Sequence, residues 1–171
     1  HIESESDVSE KPCLKVHFPV VAELRPILDV LIVDDDENIR KLLLHRLQNS
    51  DVPMTVRAVG SVDQAFKELE IVRVRCVIAD YEMEGRDGLS CLQEVASRYP
   101  ESRRVLMTGH ADTMLMQRAV NEAQIHHAFY KPFDHLQILR EVTELVQNSS
   151  MIDTKLRTDI VPSAGLAWGS R

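Results

Sequence analysis

No apolar stretch in the 171 residues approaches the roughly 18 to 20 needed to cross a bilayer, so membrane insertion is not expected. Basic residues are scarce as well. There are 20 Lys and Arg against 27 Asp and Glu, a net charge of -7, and no Lys/Arg stripe of the kind that displaces counterions from phosphates. No nucleic-acid surface is expected within this chain. The densest basic pair, Arg103-Arg104, reads as a solvated loop ahead of a strand. Cys13, Cys76 and Cys91 are odd in number and lack C-x-x-C spacing, so neither a disulfide framework nor a zinc site is indicated, and a reducing cytoplasm fits best. The seven histidines do not cluster at ligand spacing, and the adjacent His126 and His127 point to opposite faces of a strand. No signal-peptide pattern opens the chain, and its start at His1 suggests a segment of something longer.

What is present is globular: 44% hydrophobic and 27% charged residues, enough for one ordinary domain with tails. Residues 1–27, broken by Pro12, Pro19 and Pro26, read as a linker or extension. The periodic part covers 28–147, and a tail or linker follows over 148–171. Within the periodic part, apolar strands are expected at 29–33, 54–59, 74–79, 105–107 and 128–130. Each precedes a helix. Ile39, Leu42, Leu43 and Leu47 mark one over 37–49; Ser61-x-x-Gln64 is a capping-box signature opening the second. Leu89, Leu92 and Val95 mark a helix that stops before Pro100, a fourth lies near 112–123, and Leu136, Leu139, Val142, Leu145 and Val146 form the apolar face of the last.

Five alternating strand-helix pairs predict an α/β fold with a parallel sheet and helices on both faces, because each crossover is right-handed and lays its helix back on the sheet. Ligands of such sheets sit beyond the carboxyl ends of the strands. There the chain concentrates acid: Val30-Leu31-Ile32-Val33 runs into Asp34-Asp35-Asp36, and Cys76-Val77-Ile78-Ala79 runs into Asp80. Neighbouring strands would crowd these carboxylates, and crowded like charges need a cation or a cationic side chain between them. The pattern therefore points to a divalent-metal site. An acidic triplet standing alone would read as a turn and helix cap, the role expected of Asp36.

Together with Asp80-Tyr81-Glu82-Met83 and Gly88, Met107-Thr108-Gly109, and Lys131-Pro132-Phe133, these strand ends resemble the receiver domain of two-component response regulators over residues 28–147. The resemblance implies a flavodoxin-like (βα)5 fold with strand order 2-1-3-4-5. It implies that Asp80 is the phosphoacceptor, phosphorylated by a histidine kinase, a phosphotransfer protein or a small acyl phosphate. Asp35 and Asp80, the carbonyl of Glu82 and, at the edge of the shell, Asp34 would hold Mg²⁺. Lys131 would offer a point charge to the phosphoryl oxygens and Thr108 a hydroxyl, switching the surface of the fourth and fifth strand-helix units, where an effector or a second copy would dock. Lys131-Pro132 is a candidate cis peptide.

The chain departs from the family pattern in places. Glu84 stands where a proline is common, and Ala128 stands where the family has an aromatic; either Tyr130, on the same strand face, substitutes for it, or the aromatic part of the switch is missing and output rests on main-chain movement alone. Glu82 and His110 flank Asp80 and Thr108 at positions that govern how long the phosphoryl group survives in the family. Two other functions compete. A Mg²⁺-dependent aspartyl phosphatase of the haloacid dehalogenase type shares the aspartate, threonine and lysine, but position 38 is Asn38 and only Asp134 follows Lys131 as a late acid. A docking domain that never takes phosphate would use the same fold with its site idle.

Overall fold

A computed structural model describes residues 25–110 and 112–149. Apart from residues 25–27 and 148–149, the extension expected over 1–27 and the tail expected over 148–171 lie outside the described residues. Five strands, β1 (Ile27–Val33), β2 (Val56–Val59), β3 (Arg73–Asp80), β4 (Arg103–Thr108) and β5 (His127–Tyr130), alternate with five helices. The helices are α1 (Glu37–Gln48), α2 (Val62–Ile71), α3 (Gly88–Arg98), α4 (Thr113–Asn121) and α5 (His135–Gln147). All strand pairs are parallel, in the order β2-β1-β3-β4-β5, as expected.

Each helix starts where a short polar side chain takes up an orphan N–H. Asp36, Ser61, Asp87, Asp112 and Asp134 occupy the N-caps and accept from Asn38, Gln64, Ser90, Met114 and Leu136 respectively. Asp36 is thus a cap. Gln64 completes a variant of the capping box by accepting from Gly60 N–H at 2.9 Å.

Alternation sorts the core into two layers. Leu31, Val33, Val77, Ala79 and Leu106 pack with α2, α3 and α4 on one face of the sheet; Val30, Ile32, Ile78, Val105, Met107 and Phe129 pack with α1 and α5 on the other. Burying a side chain such as Leu31 or Ile32, each at 0% exposure, contributes about 1.5 to 3 kcal/mol. The central strands are buried on both faces, which explains their unbroken apolar runs. Among the described residues no helix is long and apolar enough to cross a membrane.

Two expectations need correction. The second strand is shorter than 54–59 and runs from Val56: the Thr55 carbonyl still accepts from the Asp29 and Val30 N–H groups of β1 at 3.1 and 3.0 Å, while its own N–H and hydroxyl turn to Asp29 Oδ2 at 2.8 Å. Arg104 is not in a solvated loop: it lies within β4 at 4% exposure. Its guanidinium donates to the carbonyls of Ala123, Gln124, Pro100 and Ser102 at 2.7 to 3.2 Å. The carbonyls just past the end of α4 have no intrahelical partner, and this cation supplies one.

Candidate functional site

The sheet order puts the carboxyl ends of β1 and β3 side by side, with Val33 paired to Ala79. Asp34 and Asp35 follow β1 and Asp80 ends β3, so three carboxylates converge; one oxygen from each lies within 4.8 Å of the other two. Their environments differ. Asp34 is fully buried: Oδ1 accepts from Asp36 N–H at 2.8 Å, while Oδ2 is buried with no hydrogen-bond partner among the described residues. Its main chain is held on both sides, the N–H by Val59 O at 3.1 Å and the carbonyl by Arg40 Nη1 at 2.6 Å. Asp80 is 3% exposed, whereas Asp35 is exposed and its Oδ2 accepts from the Glu84 main-chain N–H at 2.9 Å.

Lys131, immediately after β5, reaches back over this cluster. Its Nζ lies 2.8 Å from Asp80 Oδ1, a close ion pair, and 3.7 Å from Asp34 Oδ2. Burial pushes the Asp34 and Asp80 carboxyls above the usual carboxylate range, with neighbouring carboxylates adding to it in both. Burial works against the Lys131 ammonium too, yet the Asp80 contact and the fields of Asp80, Asp34 and Glu82 outweigh it and hold Lys131 above its ordinary value. These directions agree: the lysine keeps part of its hydration, and the two aspartates have lost theirs.

Thr108 ends β4 at 0% exposure, and its carbonyl accepts from Lys131 N–H at 2.8 Å. Its hydroxyl is occupied by the main chain of His110, accepting from the N–H at 3.1 Å and lying 3.3 Å from the carbonyl oxygen. The side chains of Glu82 and His110 pair above the site, both largely exposed. The Lys131–Pro132 peptide is cis, as expected. Tyr130, register partner of Thr108, is exposed, while Phe129 beside it is buried in the core.

The structure thus brings Asp34, Asp35, Asp80 and Lys131 into one cluster, with Thr108 at the neighbouring strand end and Glu82 on the loop after β3. The acid donors are all hard oxygens, and a buried orphan carboxylate oxygen among them is what a small divalent cation satisfies. Sequence reasoning missed two main-chain contacts, Glu84 N–H to Asp35 and Arg40 to the Asp34 carbonyl. A main-chain partner carries no residue identity by which to find it.

The chain matches the family model for the response regulator receiver domain over residues 30–143. It is 33% identical over 135 residues to the hydrogenase transcriptional regulatory protein HoxA of Cupriavidus necator, covering 75% of this chain and 27% of that protein. It is 34% identical over 146 residues to a putative NtrX-like response regulator of Rickettsia felis, covering 78% and 30%. The chain therefore spans about a third or less of the length of these regulators. Among solved structures, the signal receiver domain of an HD domain-containing protein from Pseudomonas fluorescens superposes with a TM-score of 0.66 at 29% identity, covering 73% of this chain and 97% of that one. The receiver domain of NtrX from Brucella abortus gives 0.62 at 26% identity, covering 71% and 100%.

Proposed function

The chain belongs to the response regulator receiver domain family, a family of signalling modules rather than catalytic enzymes, and we propose that Asp80 is its phosphoacceptor. The observation that carries this reading is the convergence of three carboxylates within 4.8 Å of one another, answered by the single ammonium of Lys131. A carboxylate is a weak nucleophile towards an anionic phosphoryl group, so charge must be neutralised between them. Asp34, Asp35 and Asp80, with the main-chain carbonyl of Glu82, are the residues that would hold Mg²⁺, which supplies that neutralisation when bound.

The chain's own groups do the rest. An Asp80 oxygen attacks phosphorus as the bond to a histidine nitrogen or acyl oxygen of the donor breaks, and the donor keeps the electron pair. Lys131, released from its contact with Asp80, follows the new charge onto the phosphoryl oxygens as a mobile point charge. Thr108 is the switch: its hydroxyl leaves the His110 main chain and donates to the phosphoryl group, carrying residues 109 and 110 and the start of α4 with it. The surface so changed is that of β4, α4, β5 and α5. Met114, Val120, Tyr130 and Leu136, all exposed there, suit it to an effector or a second copy. The donor is a histidine kinase, a phosphotransfer protein or a small acyl phosphate in the cytoplasm, and residues 28–147 form the receiver unit.

Incubation with Mg²⁺ and acetyl phosphate tests the reading. The intact mass should rise by one phosphoryl group, and Asp80→Asn should show no gain. Phosphate release from generic monoesters without an adduct would point to the phosphatase instead, and neither result to a docking domain.

A further inference from the structure

Asp35 is the most exposed of the three carboxylates, and an exposed aspartate would be expected to sample several rotamers. Here it is tied across the site to residue 84, 49 positions away, by the Glu84 N–H. The loop presenting that N–H is held at several points. Gly85, with φ +82, takes the left-handed turn; Gly88 N–H bonds to Tyr81 O at 3.2 Å; and Asp87 caps α3. Arg86 is drawn down over the Phe66 ring at 5.7 Å and pairs with Glu94 at 2.7 Å. Glu94 also binds Arg98, which lies over the same ring at 5.0 Å. These contacts fix the course of the loop that carries the Glu84 N–H.

We propose that the Glu84 main-chain N–H is a positioning group for Asp35, holding its carboxylate through Oδ2 as a preset ligand for the divalent cation beside Asp34 and Asp80. The inference rests on the phosphoacceptor reading and deepens it. Groups that hold a metal ligand from behind set affinity by fixing the ligand's orientation before the ion arrives. Position 84 matters here through its main chain, so only a residue without an N–H removes the effect, and that residue is proline.

The test compares Glu84→Pro with Glu84→Ala, which loses the carboxylate but keeps the N–H. Calorimetric titration of the full chain with Mg²⁺ should show Glu84→Pro binding about tenfold more weakly than Glu84→Ala, with both variants melting as folded chains. Independently, amide exchange at Glu84 in ion-free protein should be about tenfold slower in the native chain than in Asp35→Ala. This second arm decides the matter should Glu84→Pro fail to fold. Equal or tighter Mg²⁺ binding by a folded Glu84→Pro chain, or equal exchange in native and Asp35→Ala chains, overturns the inference alone. A native chain that takes up no Mg²⁺ overturns the phosphoacceptor reading, and this inference with it.

Discussion

Lys131 Nζ stands 2.8 Å from Asp80 Oδ1 and, at the same time, 3.7 Å from Asp34 Oδ2, so one half-buried ammonium answers two buried carboxylates. Replacing it with methionine leaves those carboxylates facing each other without a cation. Lys131→Met should lose about 1 to 3 kcal/mol, between the exposed and fully buried cases. Saturating Mg²⁺ should then raise the melting temperature of the variant by more than that of the native chain, because the ion takes over the lysine's role. Equal shifts in the two chains would show that Lys131 and the ion do not share a site.

Gly88 opens α3 directly against the end of β3. A Cβ there would lie 2.0 Å from the Asp80 carbonyl oxygen and 2.7 Å from its carbonyl carbon, both main-chain atoms that cannot swing away. Gly88→Ala should therefore cost about 1 to 3 kcal/mol, the range for an added methyl in a packed interior, and should weaken Mg²⁺ binding as the main chain at residue 80 shifts. Urea melts and a Mg²⁺ titration check both. A variant of native stability and affinity would contradict the close approach.

Arg104 is an interior cation whose partners are four main-chain carbonyls. Arg104→Leu keeps an apolar stem but strands the carbonyls of Ala123 and Gln124 beyond α4 and those of Pro100 and Ser102 before β4. The expected loss is about 2 to 6 kcal/mol, since the two fully buried acceptors, the carbonyls of Ala123 and Ser102, cost about 1 to 3 each and water can reach the other two. Arg104→Lys should recover only part, because a single ammonium cannot span the set. Denaturant midpoints of the three chains decide it.

His126 adds a pH dependence. Its residue surface is exposed, yet Nδ1 accepts the Arg104 main-chain N–H at 3.1 Å. Desolvation of the imidazole, with the Arg104 and Arg103 charges behind it, pushes its pKa down to about 4. Unfolded, the same ring takes up a proton near 6.5. Between about 6.5 and 4 the unfolded chain thus binds more protons, so this contribution to stability is whole above that window and is lost as pH falls through it. His126→Asn keeps an acceptor without titrating, and its melting temperature should fall less between pH 7.5 and pH 5 than that of the native chain. Parallel falls would remove His126 as a cause.

Much of this architecture can be read from residues alone, and the reason is topological. Apolar runs betray the strands, parallel strands send their carboxyl ends to one edge, and Asp34, Asp35, Asp80, Thr108 and Lys131 all sit at such ends. Their meeting follows from strand order. What escapes is decided by main-chain partners: Arg104 looks like a surface charge until the end of α4 is placed against it, and Thr55 gives its N–H and hydroxyl to a carboxylate on β1. The absence of proline at position 84 suggests a loose loop. The structure instead uses the N–H that a proline would lack.

The central claim is that phosphate is captured on one particular carboxylate out of three that lie within 4.8 Å of one another. Borohydride reduces an aspartyl phosphate to homoserine, so treating the chain with Mg²⁺ and acetyl phosphate, then borohydride, and sequencing its peptides locates the acceptor. Homoserine at position 80, and not at 34 or 35, is the predicted result. Homoserine at either of those positions, or at none, would contradict it.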